Sequence, residues 1–249
     1  MKQRVVAIIP SRLESSRLPK KALVDICGLP MIVHVYQRCV LADSLDDVYV
    51  ATDNKEIKKQ VERFGGKVIM TDSKHKTGTD RVAEAAKHID AEIIVNVQGD
   101  EALVNPDHID DGVLGLINSD AKVSILLTDF YKKKSYGDIK AVVNLKKEIM
   151  YFSRNDIPSD SRVDVLNMLK AYHVVSFKKD FLMKYTSLDQ TSLEKIEYNE
   201  YLRILENGYK MQGVHVKSDA ISIDTQSDLD YVIKKMKKDK LFNKYTNTV

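Results

Sequence analysis

Apolar residues fall along this chain in short runs separated by segments with helical spacing. Residues 5–9, Val-Val-Ala-Ile-Ile, form a continuous run rich in β-branched side chains, which reads as a strand buried on both faces. Pro10 donates no ladder hydrogen bond and is expected to end it. The pattern then predicts a helix over 31–41, with Ile32, Val35, Tyr36 and Cys39 at helical spacing, and a strand over 47–52. A charged helix over 55–64, stopped by Gly65-Gly66, leads to a strand over 67–70. An amphipathic helix follows Thr77 and runs through His88, with Val82, Ala85 and Ala86 apolar. Residues 91–97 hold the most buried-looking strand, Ile93-Ile94-Val95-Asn96-Val97; 106–116 is a helix and 123–127 a strand. Such a βα rhythm predicts an α/β fold with parallel strands.

From Asp129 the rhythm lapses. Short β-like pieces at 141–144, 149–152 and 172–177 surround a polar turn at Ile157-Pro158-Ser159, which predicts an inserted mixed lobe over roughly residues 129–218. A helix over 194–205 is closed by Glu206-Asn207-Gly208. Two short strands, 210–216 and 220–223, precede Asp224-Thr225 and a last helix over 229–236; the tail after Phe242 is expected to be loose. Asp53 and Asp224 each sit where a strand gives way to a helix, and each reads first as an N-cap.

Composition narrows the class. With 249 residues the chain can bury one sizeable core, with or without an embedded lobe. A net charge of +3 gives no argument for nucleic acid, and the basic block at 234–240 reads as the wet face of the last helix. Cys27 and Cys39 are too few for a disulfide framework and lack metal-ligand spacing, which fits a reducing cytosol. The amino terminus enters a strand at once, with no signal-peptide pattern, and no apolar run approaches the ~20 residues of a membrane span.

The candidate chemistry lies at strand ends. After the first strand come Arg12, Arg17, Lys20 and Lys21, interleaved with Ser11, Ser15 and Ser16 and with no glycine. An open α/β sheet holds anionic ligands at such a carboxyl-end loop. The lack of glycine excludes a Walker loop or a dinucleotide fingerprint, so side-chain charge would hold the anion. These residues alone fit a solvated basic loop equally well. Residues 97–101 read Val-Gln-Gly-Asp-Glu: Gly99 permits a sharp turn and Asp100 offers oxygen to a hard cation such as Mg²⁺. A lone Gly-Asp-Glu is more often a polar turn. If the strands are parallel, however, both loops share one sheet edge, and cations beside a carboxylate suit a nucleoside triphosphate. Thr77-Gly78-Thr79-Asp80-Arg81 would cap the following helix and present free amides to an anion.

Four of these motifs, in this order, resemble the CMP-Kdo synthetases (3-deoxy-manno-octulosonate cytidylyltransferases), which activate an eight-carbon sugar acid for lipopolysaccharide synthesis. They are the loop Pro10-Ser11-Arg12, Ser15, Arg17-Leu18-Pro19, Lys21 and Leu23; Thr77 to Arg81; Val97 to Glu101; and Ile223-Asp224-Thr225. The resemblance implies a Rossmann-like nucleotidyltransferase fold of the glycosyltransferase-A type. This is α/β, with a mixed, mainly parallel sheet and an embedded smaller α+β lobe that serves sugar binding and dimerisation. It implies a cytoplasmic homodimer that transfers CMP from CTP to the anomeric hydroxyl of a 3-deoxy-2-ulosonic acid, Kdo or a close analogue such as 8-amino-Kdo, releasing pyrophosphate. It implies Mg²⁺ on Asp100 and Asp224, and catalytic roles for Arg12, Lys21 and Asp100. Substrate contacts would come from Ser15, Arg17, Thr79, Arg81 and Gln98 around the nucleotide, and from Arg154, His173 and Glu200 in the lobe.

The chain departs from the family pattern at Lys20, usually glycine, and at Ala102, usually proline. It departs also at Ala171, usually a histidine facing the sugar, and at Tyr201, usually glutamine. His173 comes two places after Ala171, which on a strand is the same face. The nucleotide half is therefore largely intact and the sugar half altered. A sialic-acid-type cytidylyltransferase would carry a glycine-bearing Ala-Arg-Gly-Gly-Ser-Lys loop, and a sugar-1-phosphate nucleotidyltransferase a Gly-Gly-rich one; neither is present. A catalytically silent nucleotide-binding protein on this fold is the rival from another class, and intact Lys21, Asp100 and Asp224 argue against it.

Overall fold

A computed structural model of the chain describes residues 3–15, 17–162, 167–219 and 221–246. Ser16 of the expected loop and Ala220 of the expected strand lie outside these. The chain forms two compact units: one runs up to Asp110 and resumes at Asp219, and the other is Asp111–Ser218.

The first unit begins with β1 (Val5–Ser11), buried along its whole length. A small hairpin of β2 (Asp25–Ile26) and β3 (Leu29–Pro30) leads into α1 (Met31–Val40). Then come β4 (Asp47–Thr52), α2 (Lys55–Arg63), β5 (Val68–Met70), α3 (Gly78–Ala86), β6 (Ile93–Val97) and the start of α4 (Pro106–Ile117). The order β6-β1-β4-β5 is parallel throughout and puts β1 in the middle, as its unbroken apolar run requires. Pro10 does not end β1. Pairing with β6 stops at Ile8–Asn96, whereas pairing with β4 continues through Pro10–Ala51 to Ser11–Thr52. The proline is tolerated because one neighbour has already left.

The helix starts hold two corrections. Asn54, not Asp53, caps α2, its side chain accepting from the amides of Glu56 (2.8 Å) and Ile57 (3.1 Å). Thr225, not Asp224, caps α8 (Gln226–Met236) through a box with Asp228. In both places the residue after the acid does the capping. Both acids are released for ion pairs.

The second unit holds β7 (Val123–Phe130), β8 (Lys140–Val143), β9 (Ile149–Ser153), β10 (Met168–Lys178), α5 (Lys179–Thr186), α6 (Ser192–Glu197), α7 (Leu202–Glu206) and β11 (Met211–His215). β10 is antiparallel to β7 and β8, β8 to β9, while β11 runs parallel to β7. The fold is thus mixed α/β with mostly parallel central strands. The single helix expected over 194–205 is two short ones, divided where Tyr198 turns left-handed at φ 50°. Residues 221–223 form no strand. No helix among the described residues is long and apolar enough to cross a membrane.

Of the tail expected to be loose, residues 247–249 lie outside the described ones, and residues 243–246 belong instead to α9 (Lys240–Thr246), docked through Tyr245, which is buried. Its hydroxyl lies 2.8 Å from Nδ1 of His34, and Nε2 of His34 lies 2.7 Å from the Ile26 carbonyl. A carbonyl only accepts, so Nε2 carries the proton and Nδ1 accepts from the tyrosine. Burial, with the nearby Arg38 charge, outweighs the Ile26 bond and pushes the imidazole down to about 4. The unfolded chain therefore takes up a proton near pH 6.5 that the folded chain refuses until about 4. Stability from this group is present above pH 6.5 and is lost as pH falls towards 4, by roughly 3 kcal/mol in all. Urea unfolding across this window should show a steeper decline for the parent than for His34→Gln. Parallel profiles would show that His34 is not the titrating group.

Candidate active site

Three chain segments converge at the carboxyl end of β1. The cationic loop closes in a short 3-10 turn, Lys21–Leu23, entered by Lys20 in the left-handed region at φ 52°, ψ 34°. Glycine adopts that conformation without strain, and a lysine held in it is a departure from the usual backbone preference. The turn aims Nζ of Lys21 at Oδ2 of Asp100 (2.7 Å) and Oδ1 of Asp224 (3.1 Å). Arg17 reaches the same Asp224 oxygen at 2.9 Å.

Asp100 follows β6 across Gly99. A Cβ on Gly99 would lie 2.8 Å from the Pro10 carbonyl oxygen. Glycine is required there because the turn lies against the end of β1; the expected turn is present at Gly99 and Asp100, closed by the Glu101 amide donating to the Gln98 carbonyl at 3.1 Å, without a left-handed residue at Gly99. The amide of Ile223 donates to the Asp100 carbonyl at 3.1 Å and so fixes Asp224 beside Asp100. Beneath the charges, Leu18, Met31, Ala102, Ile223, Leu229 and Val232 share one buried apolar cluster.

These groups wall a cavity of about 300 Å³. Of the residues anticipated from sequence, Arg12, Ser15, Arg17, Lys21, Arg81, Gln98, Asp100 and Asp224 all line it. Arg81 is nearly buried and is held by the Thr71 hydroxyl (2.6 Å) and Asp53 (3.1 Å), the acid released from capping. Thr79 is fully buried and does not line the cavity; its hydroxyl accepts from Asn96 at 3.2 Å and ties α3 to β6. His75, paired with Glu84, and Lys76 line the wall and were not anticipated. They lie in an irregular loop with no periodicity to mark them; their place just before Thr77 to Arg81 was the available signal.

Arg154, His173 and Glu200 belong to the second unit and are not on this cavity. Arg154 donates from Nε to the Glu197 carbonyl (2.7 Å), and from its terminal nitrogens to the carbonyls of Tyr136 and Tyr198 (3.0 Å each). Glu200 accepts from the Tyr185 hydroxyl, through its carbonyl at 2.9 Å and its carboxylate at 3.3 Å. The register of β10 against β7 jumps between Tyr172 and Val175. His173 therefore sits in an irregularity, and the alternation that would carry it to the face of Ala171 is interrupted.

A cytidylyltransferase family model matches residues 6–217. The chain belongs to the cytidylyltransferase family. It is 39% identical to the 3-deoxy-manno-octulosonate cytidylyltransferase of Geobacter metallireducens, over 94% of this chain and 98% of that one. It is 34% identical to the enzyme of the same name from Escherichia coli, over 92% and 94%. A solved structure of CMP:2-keto-3-deoxy-manno-octonic acid synthetase complexed with CTP superposes with a TM-score of 0.91 at 33% identity, covering 94% of this chain and 99% of that chain.

In this cytidylyltransferase burial pulls the Lys21 ammonium down, but Asp100 and then Asp224 outweigh it and hold its pKa above the usual lysine value. Lys21 is thus a fixed cation at any physiological pH. The two carboxylates that share one ammonium offer a pair of hard oxygen ligands converging on a cation-sized position, which fits a divalent metal. Among the described residues no group of three or more His, Cys, Asp or Glu could hold a metal ion. Phosphate and water would then fill most of the coordination shell, as Mg²⁺ prefers.

Lys21→Ala should lower kcat/KM for CTP by at least about 100-fold. Lys20→Gly should leave it within about twofold: relief of left-handed strain, about 1 kcal/mol, is offset by glycine's backbone entropy and the exposed Lys20–Glu56 pair. Equal losses in steady-state assays would mean that general basic charge, and not a placed cation, is what matters.

Proposed function

We propose that the chain transfers CMP from CTP to the anomeric hydroxyl of 3-deoxy-manno-octulosonate (Kdo) and releases pyrophosphate. The observation that carries this is the Lys21 ammonium bridging Asp100 and Asp224 on the wall of a cavity otherwise rich in arginine. The names of the close relatives support Kdo as the acceptor.

The chemistry follows from charge. The anomeric oxygen bonds to the α-phosphorus, the bond from that phosphorus to the β-phosphate oxygen breaks, and pyrophosphate leaves in line. The hydroxyl proton passes to solvent. Positioning and electrostatics do most of the work in such transfers. Arg12, Arg17 and Lys21 offset charge on the triphosphate, and Arg81 and Gln98 face the cytosine and ribose. Lys21 stays protonated and therefore acts as a cation, not as the base. Asp100 and Asp224 would hold Mg²⁺, which when bound neutralises phosphate charge and favours the ionised hydroxyl. We assign sugar recognition, through Arg154, His173 and Glu200, and dimerisation to the second unit, and the protein to the cytoplasm.

The test is pyrophosphate release from CTP and Mg²⁺ with Kdo, 8-amino-Kdo, other 3-deoxy-2-ulosonic acids and a nine-carbon sialic-acid-like acid. Kdo should give the highest kcat/KM. Preference for 8-amino-Kdo would mean that the changes at Ala171, His173 and Tyr201 have altered the acceptor, since a site that pairs a particular group rejects its analogue by up to ~10⁴. No release with any acid would leave a nucleotide-binding protein without this activity. Asp100→Asn and Asp224→Asn should each lower kcat by about 10³ or more while thermal stability stays near the parent's. Near-normal turnover of either at saturating Mg²⁺ would remove that residue from the site.

A further inference from the structure

We propose that Arg38 is a positioning residue for the Asp100–Asp224 pair, which rests on reading that pair as a divalent-cation site. Arg38 lies on α1, is 1% exposed, and is among the largest fully buried side chains of the described residues. One terminal nitrogen donates to the Val104 carbonyl at 3.2 Å. The other pairs with the Asp239 carboxylate and lies 3.6 Å from Sδ of Met236. One guanidinium therefore holds two segments that are distant in sequence. The first leaves Asp100 and reaches Val104 four residues later. The second is α8, which starts directly after Asp224 and Thr225 and ends at Met236.

An α-helix transmits the position of one end to the other, since its backbone bonds leave few soft torsions. At its amino end α8 is tied by the Thr225–Asp228 box, and Asp224 next to it by the Ile223–Asp100 backbone bond. Arg38 meets the carboxyl end of α8 at Sδ of Met236, 3.6 Å away, and pairs with Asp239 three residues beyond it, whose amide donates to the Met236 carbonyl at 3.0 Å; the His34–Tyr245 contact holds α9 to the same face of α1. A well-packed apolar residue would hold α1 against α8 without the desolvation cost of a buried cation. What the guanidinium adds is direction: separate hydrogen bonds to each of the two carboxylate-bearing segments. The relative placement of Asp100 and Asp224 then depends on it, as metal ligands depend on the groups that orient them.

The obvious variant, Arg38→Met, risks failing to fold. Asp239→Asn is the primary test, because asparagine keeps the side-chain oxygen that accepts from the Leu241 amide at 2.8 Å, while the atom facing Arg38 becomes an amide nitrogen that carries no charge and cannot accept from the guanidinium. Mn²⁺ binding is measured by calorimetry on the full chain with a non-hydrolysable CTP analogue present, alongside the Mg²⁺ activation constant in turnover. Asp239→Asn should weaken Mn²⁺ binding about three- to tenfold and shift Mg²⁺ activation in parallel. Affinity for the analogue without metal should stay within about twofold, and Asp239→Glu should restore most of the loss. Asp219→Asn, which breaks the exposed Lys235 pair on α8, should change neither. A lowered melting temperature with unchanged Mn²⁺ affinity would overturn the proposal and leave Arg38 a structural anchor only. Asp224→Asn is the reference: if it binds Mn²⁺ as the parent does, the cation-site reading fails and the proposal falls with it. If Asp224→Asn is impaired and Asp239→Asn is not, only the proposal fails.

Discussion

Two ionised carboxylates repel each other, and here the cation that lies between them and offsets the repulsion is Lys21. Its ammonium stands 2.7 Å from Asp100 and 3.1 Å from Asp224, across sequence separations of 79 and 203 residues. The three side chains are partly shielded from water, so the attraction is weakly screened and the repulsion it cancels would be equally strong. Arg17 adds a second positive group at Asp224. The same balance keeps the two carboxylates side by side on the wall of a cavity that Arg12, Arg17 and Arg81 also line.

This arrangement stands on an apolar floor. Leu18 of the cationic loop, Ala102 beyond Asp100, Ile223 before Asp224 and the inner face of α8 pack into one cluster. Each charged residue is thus one to three positions from a buried hydrophobic one, so packing places the backbone and leaves the side chains to reach the cavity. Ala102 is fully buried in this cluster. The carboxyl-terminal helices belong to the same construction, because they carry the floor and the buried contacts of His34 and Arg38.

The second unit spends its charges differently. Lys140 is fully buried and donates to the carbonyls of Ser135, Asp138 and Arg154, and burial lowers its pKa against the pull of Asp156 and Asp138. Arg154 is tied to backbone carbonyls, and Arg203 pairs with buried Glu194, which holds its pKa above the usual value. These contacts order irregular chain, whereas the cations of the first unit line an open cavity. That contrast accounts for why the charged residues of the first unit were legible in the sequence and those of the second were not.

The strand at 5–9, the helices from 31, 55 and 106, and the cavity residues Arg12, Lys21, Gln98, Asp100 and Asp224 were legible in the sequence. Local periodicity and motif spacing are set by neighbours in the chain, and so they survive without the fold. Tertiary structure decided what depends on distant partners. Asp53 and Asp224 looked like caps, but Asn54 and Thr225 took that role and left the acids to Arg81 and Lys21. Thr79 looked like a ligand and is a buried tie to Asn96. The tail after Phe242 looked loose because its own composition is polar, yet His34, over 200 residues earlier, supplies the partner that buries Tyr245. A sequence shows which residues can cap, pair or pack; which of these each one does is fixed by the competitor that the fold brings alongside it.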